Sequence, residues 1–438
     1  MSTEASQEGT AETHPGAGFK PWYRNYVLIL LLVVYIFNFI DRQVIAILSP
    51  AIKADLGVSD TQLGLLKGLA FALLYSILGL PIARLADRRN RVNIVTISLT
   101  LWSVFTALSG LAANFIQLAA ARFAVGVGEA GCAPPSHSLI SDYFSRKRRA
   151  TALAIFSMGI PLGVMFAFLA GGVLANSLGW RWTFVAVGLP GLLLAILLKL
   201  TVKEPPRGAS ASGLEAAPPF MESIKLLLSL KSYVLLSIAS AIASMSAFAL
   251  ATWVVDFYVR VHEIGFLQIT TPLGFIIGGG MAAGIFIGGQ LGDRFGPKDS
   301  RYYMWIPAAG FLLSFPLVML AIYAETSLAS FLWLAGGYIL AGLYAGPVFA
   351  SIQNLAPIRL RAFAVALFLL IVNIGGAGMG PLVAGILSDL MLAAHGPAEG
   401  LRLSLAITTL GFVVAAVIYW WASFSITKEL AEAPDQDI

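Results

Sequence analysis

Apolar residues in this chain gather into runs of about 20 or more, long enough for a helix to cross the hydrocarbon core of a bilayer. Twelve such runs stand out, at approximately 25–48, 61–83, 93–112, 116–140, 151–176, 182–201, 228–256, 268–291, 302–323, 330–352, 363–389 and 401–423. Residues 1–21 are polar, rich in Ser, Thr, Gly and Glu, and read as a disordered tail. The first run follows Trp22-Tyr23-Arg24 and is too long for a signal-peptide core, so it is expected to be a retained span. Residues 202–227 are rich in Pro, Ala, Ser and Gly and read as a linker. They leave 22–201 and 228–423 as two six-helix bundles, with 424–438 as a second tail. The pattern therefore predicts an all-α membrane protein with twelve transmembrane helices.

Composition agrees. Of 438 residues, 58% are hydrophobic and 12% charged, against about 25% charged in soluble domains. A single cysteine, Cys132, excludes an internal disulfide framework, and His14, His137, His262 and His395 show no metal-ligand spacing. With no P-loop, nucleophile elbow or metal motif, the sequence predicts no cofactor and no enzyme. The net charge of +5 suggests nucleic acid only until its distribution is read. With the N-terminus in the cytoplasm, 21 of 28 Lys and Arg fall on cytoplasmic segments. Five are external (Lys53, Lys67, Arg181, Arg260 and Arg402) and two lie inside spans. That is the positive-inside pattern, with both termini cytoplasmic. The run Arg146-Lys147-Arg148-Arg149 serves as a topology signal and, beyond that, for contact with anionic membrane lipids.

The loop after the second run reads Arg84-Leu85-Ala86-Asp87-Arg88-Arg89-Asn90-Arg91, and the loop after the eighth reads Gly289-Gln290-Leu291-Gly292-Asp293-Arg294-Phe295-Gly296. Asp87 and Asp293 lie nearly half the chain apart, as do Arg149-Ala150 and Arg361-Ala362. Such an echo predicts two bundles related by a pseudo-two-fold axis. Small residues recur every fourth position as Gly64/Gly68/Ala72/Ser76, Gly159/Gly163/Ala167/Gly171, Gly280/Gly284/Gly288 and Gly376/Gly380/Ala384/Ser388. Stripes of this kind let helices approach closely.

The repeated loop resembles the G-x-L-x-D-R-x-G-R signature of the major facilitator superfamily; Ala83 and Asn90 are departures in the first copy. The resemblance implies that Arg84, Asp87, Arg88, Asp293 and Arg294 gate one closed state, and that spans 2, 5, 8 and 11 form the seam between halves. Asn38-Phe39-Ile40-Asp41-Arg42 and Arg122-Phe123-Ala124-Val125-Gly126-Val127-Gly128-Glu129-Ala130 are similar to motifs of spinster-type transporters, strongly over roughly 35–165. Phe39 stands where that family often has Tyr, and Gly131-Cys132-Ala133-Pro134-Pro135 replaces a Ser/Tyr-containing stretch. The eukaryotic members move lysophospholipids or sphingosine-1-phosphate, so the resemblance implies an amphiphilic, lipid-like cargo.

Asp41, Arg42, Arg122 and Glu129 read as the only ionisable residues well inside the spans. Each costs about 2.5–3.5 kcal/mol at mid-bilayer unless it is paired or hydrated. At 1.5 Å rise per residue, Asp41 on an outward-running helix and Arg122 on an inward-running one reach a similar depth. One reading makes Arg122 and Glu129 simple ties between helices. The other makes Asp41 and Glu129 proton-coupling carboxylates whose protonation frees Arg42 or Arg122 for an anionic headgroup. In the second half, Phe248, Trp253, Tyr344, Phe349 and the neutral Asn373 are expected to line an apolar tail cavity, or else to be core. The resulting expectation is a monomeric, proton-coupled transporter of an anionic amphiphile in a bacterial inner membrane. An exporter or symporter of drugs, sugars or organic acids, and a receptor that never transports, remain as alternatives.

Overall fold

The computed structural model describes residues 18–206, 220–357 and 360–431. Most of the predicted N-terminal tail and half of the predicted linker lie outside them. The twelve predicted spans correspond to helices as follows. Span 1 is Pro21–Leu56; span 2 is Asp60–Lys67 with Leu69–Arg88; span 3 is Arg91–Ser109; span 4 is Phe115–Glu129 with Ala133–Tyr143. Span 5 begins at Arg146–Ser157 and continues into Gly159–Thr201, which reverses at Gly179 to become span 6. The second half repeats the plan. Span 7 is Lys231–Val261; span 8 runs through Phe266–Leu273, Gly274–Gly279 and Gly280–Phe295; span 9 is Tyr302–Ile322; span 10 is Ser327–Gly342 with Ala345–Leu355. Span 11 begins at Arg361–Val372 and passes through Asn373–Gly378 into Met379–Ala431, which reverses at Gly396 to become span 12. Span 12 thus runs to Ala431, beyond the boundary predicted at 423.

Local chemistry sets these ends. Gly57 closes span 1 in the left-handed conformation at φ 63°. Ser59 and Gln62 form a reciprocal capping box at the start of span 2. The side chains of Asn90, Asn114 and Thr326 cap spans 3, 4 and 10 by accepting from backbone N–H groups. Gly179 and Gly396 both sit near φ 76° with ψ near 170° and 175°, backbone that only glycine adopts at low cost.

The most extensive contacts between halves are those of span 2 with 11 and span 5 with 8, and span 1 also packs against span 7. At Gly64 a Cβ would lie 2.4 Å from the carbonyl oxygen of Pro381, and at Gly68 2.5 Å from that of Gly378. The small-residue stripe is therefore where two backbones meet, near the end of the bundle opposite the termini (hereafter the far end). Since backbone oxygens cannot rotate aside as a side chain can, Gly68→Val is expected to hold spans 2 and 11 apart. Spin-label distances across the far end should lengthen by several ångströms, and an unchanged distribution would show that the approach is not limiting.

Candidate functional site

Neighbouring residues on a helix point about 100° apart, so Asp41 and Arg42 serve different faces of span 1. Asp41, buried, turns into the first bundle. Its Oδ1 accepts from Arg122 Nη1 at 2.9 Å, its carbonyl accepts from Arg122 Nη2 at 3.2 Å, and its Oδ2 accepts from the Thr106 hydroxyl. The depths estimated from the sequence for Asp41 and Arg122 thus meet in a direct ion pair. Arg42 turns toward the space between the halves, where its side chain is 19% exposed. Its Nε donates to Glu129 Oε2 at 2.6 Å. Its guanidinium lies 4.8 Å from the rings of Phe39 and Phe71 and 4.4 Å from that of Tyr75, an aromatic box that favours a cation.

Span 4 is shaped to deliver these groups. Gly126 lets it approach the backbone of Phe71, and Gly128 that of Trp102. Glu129 ends the helix, and the turn at 130–132 restarts it with Pro134 in the first turn, where a missing N–H costs little. The site is incompletely satisfied. Glu129 Oε1, Arg122 Nε and both side-chain atoms of Asn38 are buried without a hydrogen-bond partner. Buried polar atoms in folded proteins nearly always have one, so these atoms are costly where they stand.

Two connected cavities lie against this cluster. One, about 60 Å³, is lined by Arg42, Lys67, Tyr75, Arg122 and Asn373 among others. The second, about 200 Å³, shares Phe39, Gln43 and Phe248 with the first and extends along Phe311, Tyr338 and Tyr344. Phe248, Tyr344 and Asn373 line these cavities. Asn373 opens the π-helical segment Asn373–Gly378, whose wider turn re-aims side chains within an α-helix. Trp253 and Phe349 line neither cavity. Trp253 is fully buried and donates from Nε1 to the Pro381 carbonyl at 2.9 Å, while Phe349 is half-buried edge-on to Phe368. Of the expected gating residues, Arg88, Asp293 and Arg294 are exposed at the end that carries the termini, and the side chains of Arg84 and Asp87 lie outside the described residues.

The structure corrects the count of charges inside the spans. Lys67, assigned to an external segment from the sequence, has a side chain with no exposure, and so does Asp256. Lys67 Nζ donates to Asp256 Oδ2 at 2.7 Å and sits 3.5 Å above the ring of Trp253. Ser49 donates to the same carboxylate oxygen. One layer further out, Asp60 accepts from Lys53 at 2.5 Å, from Arg260 at 2.7 and 2.8 Å, and from Ser388 at 2.7 Å. Asp389 accepts from the backbone N–H groups of Asp60 and Thr61. Spans 1 and 2 are in this way bonded to spans 7 and 11 across the far end. A signal was present in the sequence: Asp60 and Lys67 share one face two turns apart, and Asp256 and Arg260 present the opposite order one turn apart.

Residues 31–380 match the family model described as Major Facilitator Superfamily. The chain belongs to that superfamily. It is 33% identical over 407 residues to an "MFS-type efflux pump" of Mycolicibacterium smegmatis, covering 92% of this chain and 93% of the relative. It is 28% identical to "Protein spinster homolog 1" of Xenopus laevis, covering 89% of this chain and 78% of that one. A crystal structure described as a bacterial homolog to the human lysosomal transporter Spinster, inward-facing and unoccupied, superimposes with a TM-score of 0.86. That structure is 33% identical, with 94% of this chain and 99% of the other covered. The chain is accordingly a multi-pass transporter of the major facilitator superfamily, spinster-like in structure, with twelve helices in two bundles, and it is not an enzyme.

Proposed function

We propose that this transporter moves an anionic amphiphile, a lysophospholipid or similar phosphate-bearing lipid, by proton-coupled alternating access. The observation that carries this reading is Arg42. It is a permanent cation held at the wall of the first cavity by a buried carboxylate and three aromatic rings, and that cavity shares Phe39, Gln43 and Phe248 with a second one of apolar and aromatic walls. A headgroup that accepts two parallel hydrogen bonds suits a guanidinium, and the apolar cavity suits an acyl chain. The relatives named for spinster support the lipid class. The positive-inside distribution supports cytoplasmic termini, which makes the far end the outer face, the bonded conformation inward-facing, and a bacterial inner membrane the fitting site.

Proton coupling follows from the same pairs. Protonating Glu129 removes the charge that holds Arg42, and protonating Asp41 does so for Arg122. The freed guanidinium then binds the headgroup. Flux of a fluorescent lysophospholipid into proteoliposomes should depend on the pH difference across the membrane. Glu129→Gln, which fixes that residue in a protonated-like state, should flatten the dependence, and Asp41→Asn should do the same. Variants that both keep the wild-type pH profile would remove the coupling. The mycobacterial relative supports a second reading, export of lipophilic drugs. Loss of flux for a phosphate-bearing lipid together with retained efflux of a lipophilic cation would favour it.

A further inference from the structure

Away from the transport path, the outer surface of the second bundle carries two recesses of opposite polarity, stacked on the same pair of helices. The apolar one is a groove between spans 9 and 12, walled by Trp305 and Trp420 and floored by Ala308, Ala309 and Ala416. Its rim is exposed, with Trp420 and Val417 56% exposed and Leu312 52%, while Ala308 and Ala416 of its floor are buried. The polar one is formed by the turn between spans 8 and 9 and the end of span 12, with Lys298, Asp299, Ser300, Arg301 and Thr427 on its walls.

The two recesses are in register. Arg301 lies one turn before Trp305 on span 9, and Thr427 lies two turns after Trp420 on span 12, so each helix presents one face to both. The offset along span 12 is roughly 10 Å at 1.5 Å per residue. Ser300 Oγ donates to Thr427 Oγ1 at 3.2 Å and ties the polar recess together. Asp299 Oδ1 accepts from the backbone N–H of Arg301 at 2.9 Å, which engages that carboxylate within the turn. Among the described residues, no carboxylate forms a salt bridge with Lys298 or Arg301; Lys298 Nζ rests 5.3 Å from the ring of Phe295. This end of both spans is the end that carries the termini. A tryptophan pair there sits where aromatic side chains mark the boundary between acyl chains and headgroups.

We infer that this face is a binding site for one anionic phospholipid, with an acyl chain in the Trp305/Trp420 groove and its phosphate beneath Lys298 and Arg301. The small residues of the floor leave the width of a hydrocarbon chain, and the indole rings hold it from both sides. The cations supply charge complementarity, each adding about fivefold to the affinity for an anionic over a zwitterionic headgroup. The site is distinct from the transport cavity, since none of its residues lines either central recess. A lipid bridging span 12 to the turn between spans 8 and 9 stabilises the second bundle as a unit.

The test uses the full-length protein in nanodiscs containing a photoreactive phosphatidylglycerol or a photoreactive phosphatidylcholine with the same chains. Phosphatidylglycerol should cross-link to the peptides covering 296–312 and 416–431 at least tenfold more than phosphatidylcholine does. Lys298→Gln with Arg301→Gln should abolish that preference while leaving chain contact in the groove. Trp305→Ala with Trp420→Ala should reduce cross-linking of both lipids there. Equal labelling by the two lipids in the unsubstituted protein, or labelling spread evenly over the lipid-facing helices, overturns the proposal. So does cross-linking of phosphatidylglycerol that is unaltered by both double variants. The unsubstituted protein already gives a decisive result if a variant fails to fold.

Discussion

Asp256→Ala is expected to drive the transporter out of the conformation described above and into one open at the far end. The substitution leaves the Lys67 ammonium buried with no carboxylate, above the Trp253 ring and with no solvent exposure. Removing one partner of a buried pair costs about 3–5 kcal/mol, most of it the desolvation of the charge left behind. Opening the far end hydrates Lys67 and relieves that cost, whereas the closed state has to bear it. A shift of about 3 kcal/mol changes a two-state population ratio more than a hundredfold. At the rim, the Arg260 side chain is 12% exposed and can still reach water, so its pair with the buried Asp60 contributes less than the fully enclosed one. Spin-label pairs placed across the outer ends of spans 1 and 7 report the shift directly. Lys67→Met combined with Asp256→Leu removes both charges and is expected to restore the closed distribution. A double variant as open as Asp256→Ala would mean that the pair does not hold the far end shut.

The next largest effect is expected at Arg42. Arg42→Lys keeps the charge but loses the planar fork, so one of two parallel hydrogen bonds to a phosphate disappears. The ammonium also fits the box of Phe39, Phe71 and Tyr75 less well than a flat guanidinium does. Binding of a phosphate-bearing lysolipid should weaken by about 1.5–3 kcal/mol, the scale of a charged hydrogen bond. Arg122→Lys should weaken it less, because Arg122 is 1% exposed and both its terminal nitrogens are engaged by Asp41. A neutral monoacylglycerol of equal chain length should lose much less in either variant. Equal losses for charged and neutral cargo would show that the arginines only tie helices together, and the headgroup role would be lost.

The spans were legible because hydrocarbon leaves a chain little choice: roughly 20 apolar residues in a row have one stable solution. The cluster in the first half was legible for the related reason that charge at mid-depth is costly enough to be informative. The seam at the far end was not. Lys67 and Asp256 stand close enough to helix ends to pass for interfacial residues, and only the closure of one half upon the other buries them. That closure is a tertiary event, and a hydropathy profile contains no record of it. Trp253 was misplaced for the same reason. An aromatic residue on a cavity-lining helix faces the cavity or the partner half depending on rotation, and at Trp253 the ring packs against Lys67 of span 2 while Nε1–H donates to Pro381 of span 11 in its own half. Span breaks at the turn 130–132 and at Asn373–Gly378 were equally hidden, since each leaves the apolar run unbroken.

The reversals at Gly179 and Gly396 bear on how such a molecule can move. Each joins two membrane-length helices through a single residue, with no intervening loop to take up slack. Span 5 cannot slide without carrying span 6, nor span 11 without span 12. These hairpins behave as stiff levers hinged to their own bundles, and the contact surfaces on spans 5 and 11 are the inner edges of those levers. Relative motion of the halves is thereby confined to rocking about the seam, and an individual helix on that edge has no independent travel. Inserting a few flexible residues at either glycine would give the lever play, so that one helix could yield while its neighbour stayed closed. The stroke would then be spent inside one bundle instead of between two.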